Sequence, residues 1–135
     1  FKADADWNQA WKKYEANLRK IRDSLPANAR LLSSLSFHDS TIKSVNHLSK
    51  TAVEIVIECG PHNFIEGRWL DYGAYTLSFS GVKKAWVPYS IAGDFWLNEE
   101  MNLSDVADFD YQVRLVRDEF RIQADDVLFT QGFCV

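Results

Sequence analysis

The chain has 135 residues, 47% of them hydrophobic and 14% aromatic, with a formal net charge of −4. That is the size of one ordinary domain, with enough apolar material to bury a core without disulfide staples. The composition is not that of a disordered chain, and its acidic balance argues against a nucleic-acid partner, which selects basic faces.

The N-terminal stretch reads as one amphipathic helix. Trp7, Trp11, Tyr14, Leu18, Ile21 and Leu25 recur at alternating steps of four and three, which lays them along one face. Asp6, with Gln9 three residues later, fits a capping pair at its start. Lys12, Lys13, Arg19, Lys20 and Arg22 fall largely off the stripe. Pro26 ends the helix, because the residue before a proline is pushed into extended backbone. The segment "ANARLLSSL" then reads as a short second helix or turn.

From there the period changes to two. Val53, Ile55, Ile57 and Cys59 alternate with Ala52, Glu54, Val56 and Glu58, and "STIKSVNHL" before them forms a weaker strand. Tyr75, Leu77 and Phe79 alternate with Thr76, Ser78 and Ser80, and Gly81 marks a turn or bulge. "KKAWVPY" fits an edge strand that tolerates Pro88. "DFDYQVRLV" and "EFRIQA" flank a hairpin turn at Arg117-Asp118, and "DVLFTQGFCV" supplies a last strand. Residues 60–73 read as an exposed loop. Strands joined by short connections, after a single long helix, predict an antiparallel sheet. The expected architecture is therefore α+β, the N-terminal helix packed on an antiparallel sheet, with residues 1–135 forming one domain.

Candidate chemistry is sparse. His38-Asp39, in "LSFHDSTIKSV", sits where the helical region hands over to the sheet. Metal-dependent hydrolases built on a His-Asp pair need further ligands, and only His47 and His62 remain. Cys59 and His62 form one C-x-x-H pair, whereas structural zinc sites are built from two close pairs, so no metal and no cofactor is expected. There is no phosphate-binding glycine loop and no nucleophile elbow. The expectation is that Asp39 and Ser40 accept hydrogen bonds from nearby amides, and that His38 bridges the turn to a neighbouring carbonyl or carboxylate. Cys59 and Cys134 lie among apolar neighbours and read as reduced core thiols.

Around the His-Asp pair the chain resembles a group of uncharacterised small bacterial domains. The resemblance rests on Leu25-Pro26, then His38, Asp39 and Ile42 in an apolar-His-Asp-x-x-Ile segment, followed by an antiparallel sheet. Similar segments occur among small immunity proteins encoded beside bacterial toxins. The likeness spans roughly residues 18–60, and Phe37 stands where the pattern has leucine. It implies an α+β fold and assigns no activity.

Two functional expectations follow. Residues 1–30 hold seven Lys/Arg against four Asp/Glu, whereas residues 93–126 hold ten acids against three arginines. The first expectation is therefore a non-catalytic protein-binding domain of immunity or adaptor type. It would meet a basic partner through Asp94, Glu99, Glu100, Asp105, Asp108 and Asp110. The alternative is a small-ligand binder or enzyme with a pocket near His38 and Asp39, walled by Trp69, Trp86 and Trp96. The chain contains no apolar run of 18 or more residues and no signal-peptide pattern, so no membrane is expected and the cytoplasm is the expected compartment.

Overall fold

The computed structural model describes residues 2–63 and 66–131, with side chains described from residue 8 onward. Helix α1 spans Lys2–Ile21 and is followed by a 3-10 turn, Arg22–Ser24. Leu25 then adopts extended backbone, φ −80° and ψ 145°, and α2 begins immediately after Pro26, at Ala27–Ser33. Proline dictates this break, and it turns the chain so that α2 can cover the sheet. Helix α1 starts before Asp6, so Asp6 and Gln9 lie inside it and do not cap its start. The side chains of Asp6 and Trp7 lie outside the described residues, as does Cys134.

The strands are β1 (Leu35–Ser36), β2 (Thr41–Ser49), β3 (Ala52–Cys59), β4 (His62–Asn63), β5 (Arg68–Trp69), β6 (Gly73–Ser80), β7 (Lys84–Trp86), β8 (Trp96–Asn102), β9 (Phe109–Leu115), β10 (Glu119–Ala124) and β11 (Asp126–Gln131). They form two four-stranded sheets, ordered β11-β6-β3-β2 and β7-β10-β9-β8, and a small three-stranded one, β1-β4-β5. Every pairing between these strands is antiparallel. The fold is α+β, with helices packed on antiparallel sheets, as the sequence pattern predicts.

The two large sheets share one core. Phe79 packs on Phe109 and Tyr111, while Trp96 packs on Phe37, Tyr111 and Phe120. The alternating residues Val53, Ile55, Ile57 and Cys59 are all buried, and α2 contributes Ala29 and Leu32. Gly81 carries the chain out of β6 at φ +59°, where a Cβ would stand 2.9 Å from Asp125. Only glycine takes that backbone without strain.

Three expectations need correction. Residues 60–73 are not simply a loop, because they contribute β4, β5 and the start of β6. Strand β8 is absent from the sequence reading, because its "WLNEEMN" lacks clean alternation. The helical stripe is buried at Leu18 and Leu25, half-buried at Tyr14 and Ile21, and 36% exposed at Trp11. Around Tyr14 and Asn17, α1 runs beside β8: the Met101 amide donates to the Tyr14 hydroxyl, and Asn17 donates to Asn102. No described helix is long and apolar enough to cross a membrane.

Phe37→Ala, at a fully buried aromatic, is expected to destabilise the protein by about 3–5 kcal/mol. Trp11→Ala is expected to cost clearly less, because its ring is partly in water. Urea unfolding of the two variants checks the ranking, and equal losses would mean that Trp11 belongs to the core.

Candidate functional site

The site begins with a break in alternation. Trp96 and Met101 are both fully buried, yet they are five residues apart, an odd spacing that a regular strand would place on opposite faces. The β8–β9 register slips between Trp96 and Asn98, and this irregularity reconciles the two. Beyond it, Glu99 and Met101 sit opposite Val113 and Tyr111, the inward residues of β9. The slip therefore turns a glutamate inward.

Glu99 is held there by two donors. The Phe37 amide donates to Oε1 at 3.1 Å, and the Trp96 indole N–H donates to Oε2 at 3.2 Å. Burial raises its carboxyl from the ordinary 4.5 to about 7, against the opposing pull of those two hydrogen bonds and of nearby His38. Tyr14, across from it on α1, has its phenol pushed well up, chiefly by burial, with Glu99 and Glu100 adding to the effect. Behind Glu99, the buried Tyr111 hydroxyl has no hydrogen-bond partner among the described residues.

His38 arrives from the other side. A ladder joins residues 39–42 to 93–96: Asp39 donates to the Trp96 carbonyl at 2.9 Å, and Trp96 donates to the Ser40 carbonyl at 2.9 Å. Ile42 and Gly93 continue it, at 3.0 Å to Asp94 and 2.8 Å to Ile42. The turn itself is closed by the Ser40 amide on the Phe37 carbonyl, and Asp39 takes a left-handed φ of 68°. Aspartate tolerates that conformation better than most residues. The expected acceptor roles of the two side chains are not what holds the turn: Asp39 is 85% exposed at its side chain, and the Ser40 hydroxyl points inward beside Cys59. His38 does reach a carbonyl: Nδ1 donates to Leu97 at 2.6 Å. Nε2, the other ring nitrogen, faces Asp39 Oδ1 at 3.4 Å, a contact that becomes an ion pair when the ring is protonated.

Between α1, β8 and the 36–38 segment lies an open-mouthed cleft of about 630 Å³. Trp11 and Tyr14 wall it from the helix, Ser36 and His38 from the turn, and Leu97, Asn98 and Glu99 from β8. Arg114 reaches it from β9 and makes no ion pair within 4.0 Å among the described residues. Such a cleft combines an aromatic wall, a cation, an imidazole and a protonatable carboxyl.

The remaining candidates lie apart from it. The Trp96 ring is core, and it reaches the site through the bond of its indole N–H to Glu99. Trp69 is 67% exposed against His62, and Trp86 is 63% exposed on the edge strand β7. Asp94 is buried, accepts the amides of Phe95 and Arg117, and pairs with the Arg117 side chain. Asp110 is buried in a two-bond pair with Arg121, at 3.0 and 2.6 Å. Glu100, Asp105 and Asp108 are exposed. Cys59 is buried, and burial pushes its thiol up to about 11. No group of three or more His, Cys, Asp or Glu that could hold a metal ion occurs among the described residues. Sequence reasoning missed Trp11, Tyr14 and Arg114 as site residues, and placed Glu99 on the surface. The odd spacing of Trp96 and Met101 is the one signal that could have turned Glu99 inward.

A family model described as "Protein of unknown function (DUF4085)" matches residues 2–117. The chain belongs to that family. No curated protein and no solved structure matches it. The matched segment contains every side chain that lines the cleft.

The folded state holds the Glu99 proton more tightly than the unfolded chain does. Between pH 4.5 and about 7 it therefore binds the extra proton, and stability falls as pH rises through that window. Discounted for partial exposure, the loss is expected to be about 1–3 kcal/mol. Glu99→Gln, which cannot ionise, is expected to be less stable overall but to lose this slope. Urea unfolding at about pH 5 and pH 7.5 measures it. Parallel profiles for the two proteins would show that the carboxyl behaves as a surface glutamate.

Proposed function

We propose that this protein binds a small organic molecule in the cleft beneath Trp11, with His38 and Glu99 as its polar anchors. The observation that carries the reading is their convergence: two groups 61 positions apart in sequence face one cavity large enough for such a ligand. The acid with the raised pKa supports it, because shifted ionisable groups gather at functional sites. His38 adds a ring oriented by its bond to Leu97, and Trp11 a partly exposed aromatic surface. With a proton-accepting imidazole and a proton-holding carboxyl in one cleft, the same site could serve general acid–base chemistry on its ligand.

A second reading, contact with a basic partner protein as the acid-rich second half suggests, draws on a different place. The segment 103–108 exposes Leu103 and Val106 together with Asp105 and Asp108, a mixture suited to a protein contact. Burial of Asp94 and Asp110 in arginine pairs narrows the acidic surface on which it would depend. Action in the cytoplasm belongs to either proposal.

A fragment screen followed by amide chemical shifts tests the first reading. Binding fragments are expected to shift the amides of residues 36–38 and 97–99. Trp11→Ala and His38→Ala are each expected to weaken binding by about tenfold or more, with His38→Ala changing stability by no more than about 1 kcal/mol, the worth of one exposed hydrogen bond. Fragments that shift only residues 103–108, or bind both variants unchanged, would remove the cleft as the site.

A further inference from the structure

We propose that the ligand of this cleft is an organic anion, a carboxylate with an apolar or aromatic body, its charge set against Arg114. The inference rests on the reading of the cleft as a ligand site and adds its charge and shape. Among the groups lining the cavity, Arg114 alone is a permanent charge, and it makes no ion pair within 4.0 Å among the described residues. The other three arginines of the second half or its neighbour loops are engaged: Arg117 with Asp94, Arg121 with Asp110, and Arg68 with Glu66. A guanidinium left unpaired beside a cavity is suited to a planar two-oxygen acceptor, which it grips through two parallel hydrogen bonds.

Glu99 does not cancel that preference. Both its oxygens already accept protein donors, one each from Phe37 and Trp96, and its proton is retained up to near-neutral pH. The charged and titratable groups facing it are His38 from the turn, Tyr14 from α1, Tyr111 and Arg114 from β9, and Glu100 beside it on β8. Of these, Glu100 is the one competing anion. It is exposed, and it lines the annex toward Ala10 and the outer groove that Arg114 shares with Glu119, its cross-strand neighbour, both away from His38 and Leu97. The apolar part of the ligand has its own wall: Trp11 and Tyr14, whose ring centroids lie 6.0 Å apart and tilted by 51°, with Leu97 opposite on β8. A flat or alkyl body against that wall leaves one end free for the charge.

Three probes of one shape separate the possibilities: 3-phenylpropionate, its neutral amide, and 3-phenylpropylamine. They are titrated into the whole protein at about pH 6.5, with calorimetry and the amide shifts of residues 36–38 and 97–99 as readouts. The carboxylate is expected to bind about tenfold or more tightly than the amide, and the amine most weakly. Arg114→Gln is expected to erase the advantage of the carboxylate over the amide while leaving the urea midpoint unchanged, since Arg114 is exposed and makes no ion pair among the described residues. Amide and carboxylate binding equally, the amine binding best, or Arg114→Gln sparing the carboxylate would overturn the anion assignment and leave the cleft as a ligand site. No cleft shift with any of the three would overturn both.

Discussion

The short ladder between residues 39–42 and 93–96 is the contact on which the rest of the site depends. It joins the edge of one four-stranded sheet to the entrance of the other, so the two share a core and meet at a corner. Its hydrogen bonds are made by backbone, and four of them lie between 2.8 and 3.0 Å. Backbone groups buried at such a corner must be paired, and pairing them fixes the register of His38 against Leu97. Without that register the His38 ring would have no carbonyl to donate to, and the Phe37 amide would not reach Glu99.

The slip in β8 is the second constraint, and it ties the packing of the core to the placement of Glu99. Trp96 fills the space between Phe37 and Phe120, and Met101 is fully buried a few residues on. Keeping both inside forces one residue out of alternation, and Glu99 is carried inward as a consequence. Taking a carboxylate out of water is costly, so the fold supplies two donors and the group answers by holding its proton. The same strand is an edge, and α1 runs along it with Tyr14 accepting the Met101 amide. An edge covered by a helix is protected from pairing with another chain. Here the cover is incomplete, and the gap it leaves is the cleft.

The acids of the second half illustrate how little a charge count says about a surface. Asp94 and Asp110 are buried and organise turns and cross-strand pairs with Arg117 and Arg121. Glu99 faces the cleft. Asp126 accepts from the Val127 amide and from Asn28, and Asp125 pairs with Lys83. Each has a local structural use, and only Glu100, Asp105 and Asp108 among the six proposed contact residues are turned to solvent.

The sequence by itself determined the class of the fold and most of its elements. The four-three stripe of α1, the break at Leu25-Pro26, the alternation of residues 52–59 and 75–80 and the turn at Arg117-Asp118 are local signals, written in residues adjacent along the chain. They depend on periodicity and on proline and turn chemistry, which act within a few residues. The His38-Asp39 turn was visible in the same way, as a polar pair at a change of period. What only the tertiary structure decided is where that pair looks. The register of the ladder and the resting place of α1 along β8 are long-range pairings, between residues 51 to 57 and 87 positions apart, and the slip at Leu97 is a choice of register between β8 and β9. They brought Trp11, Tyr14 and Arg114 to His38 and turned Glu99 from a surface acid into a cleft acid. No local pattern encodes such a meeting, because a strand's alternation says which residues share a face and not which neighbour that face will find.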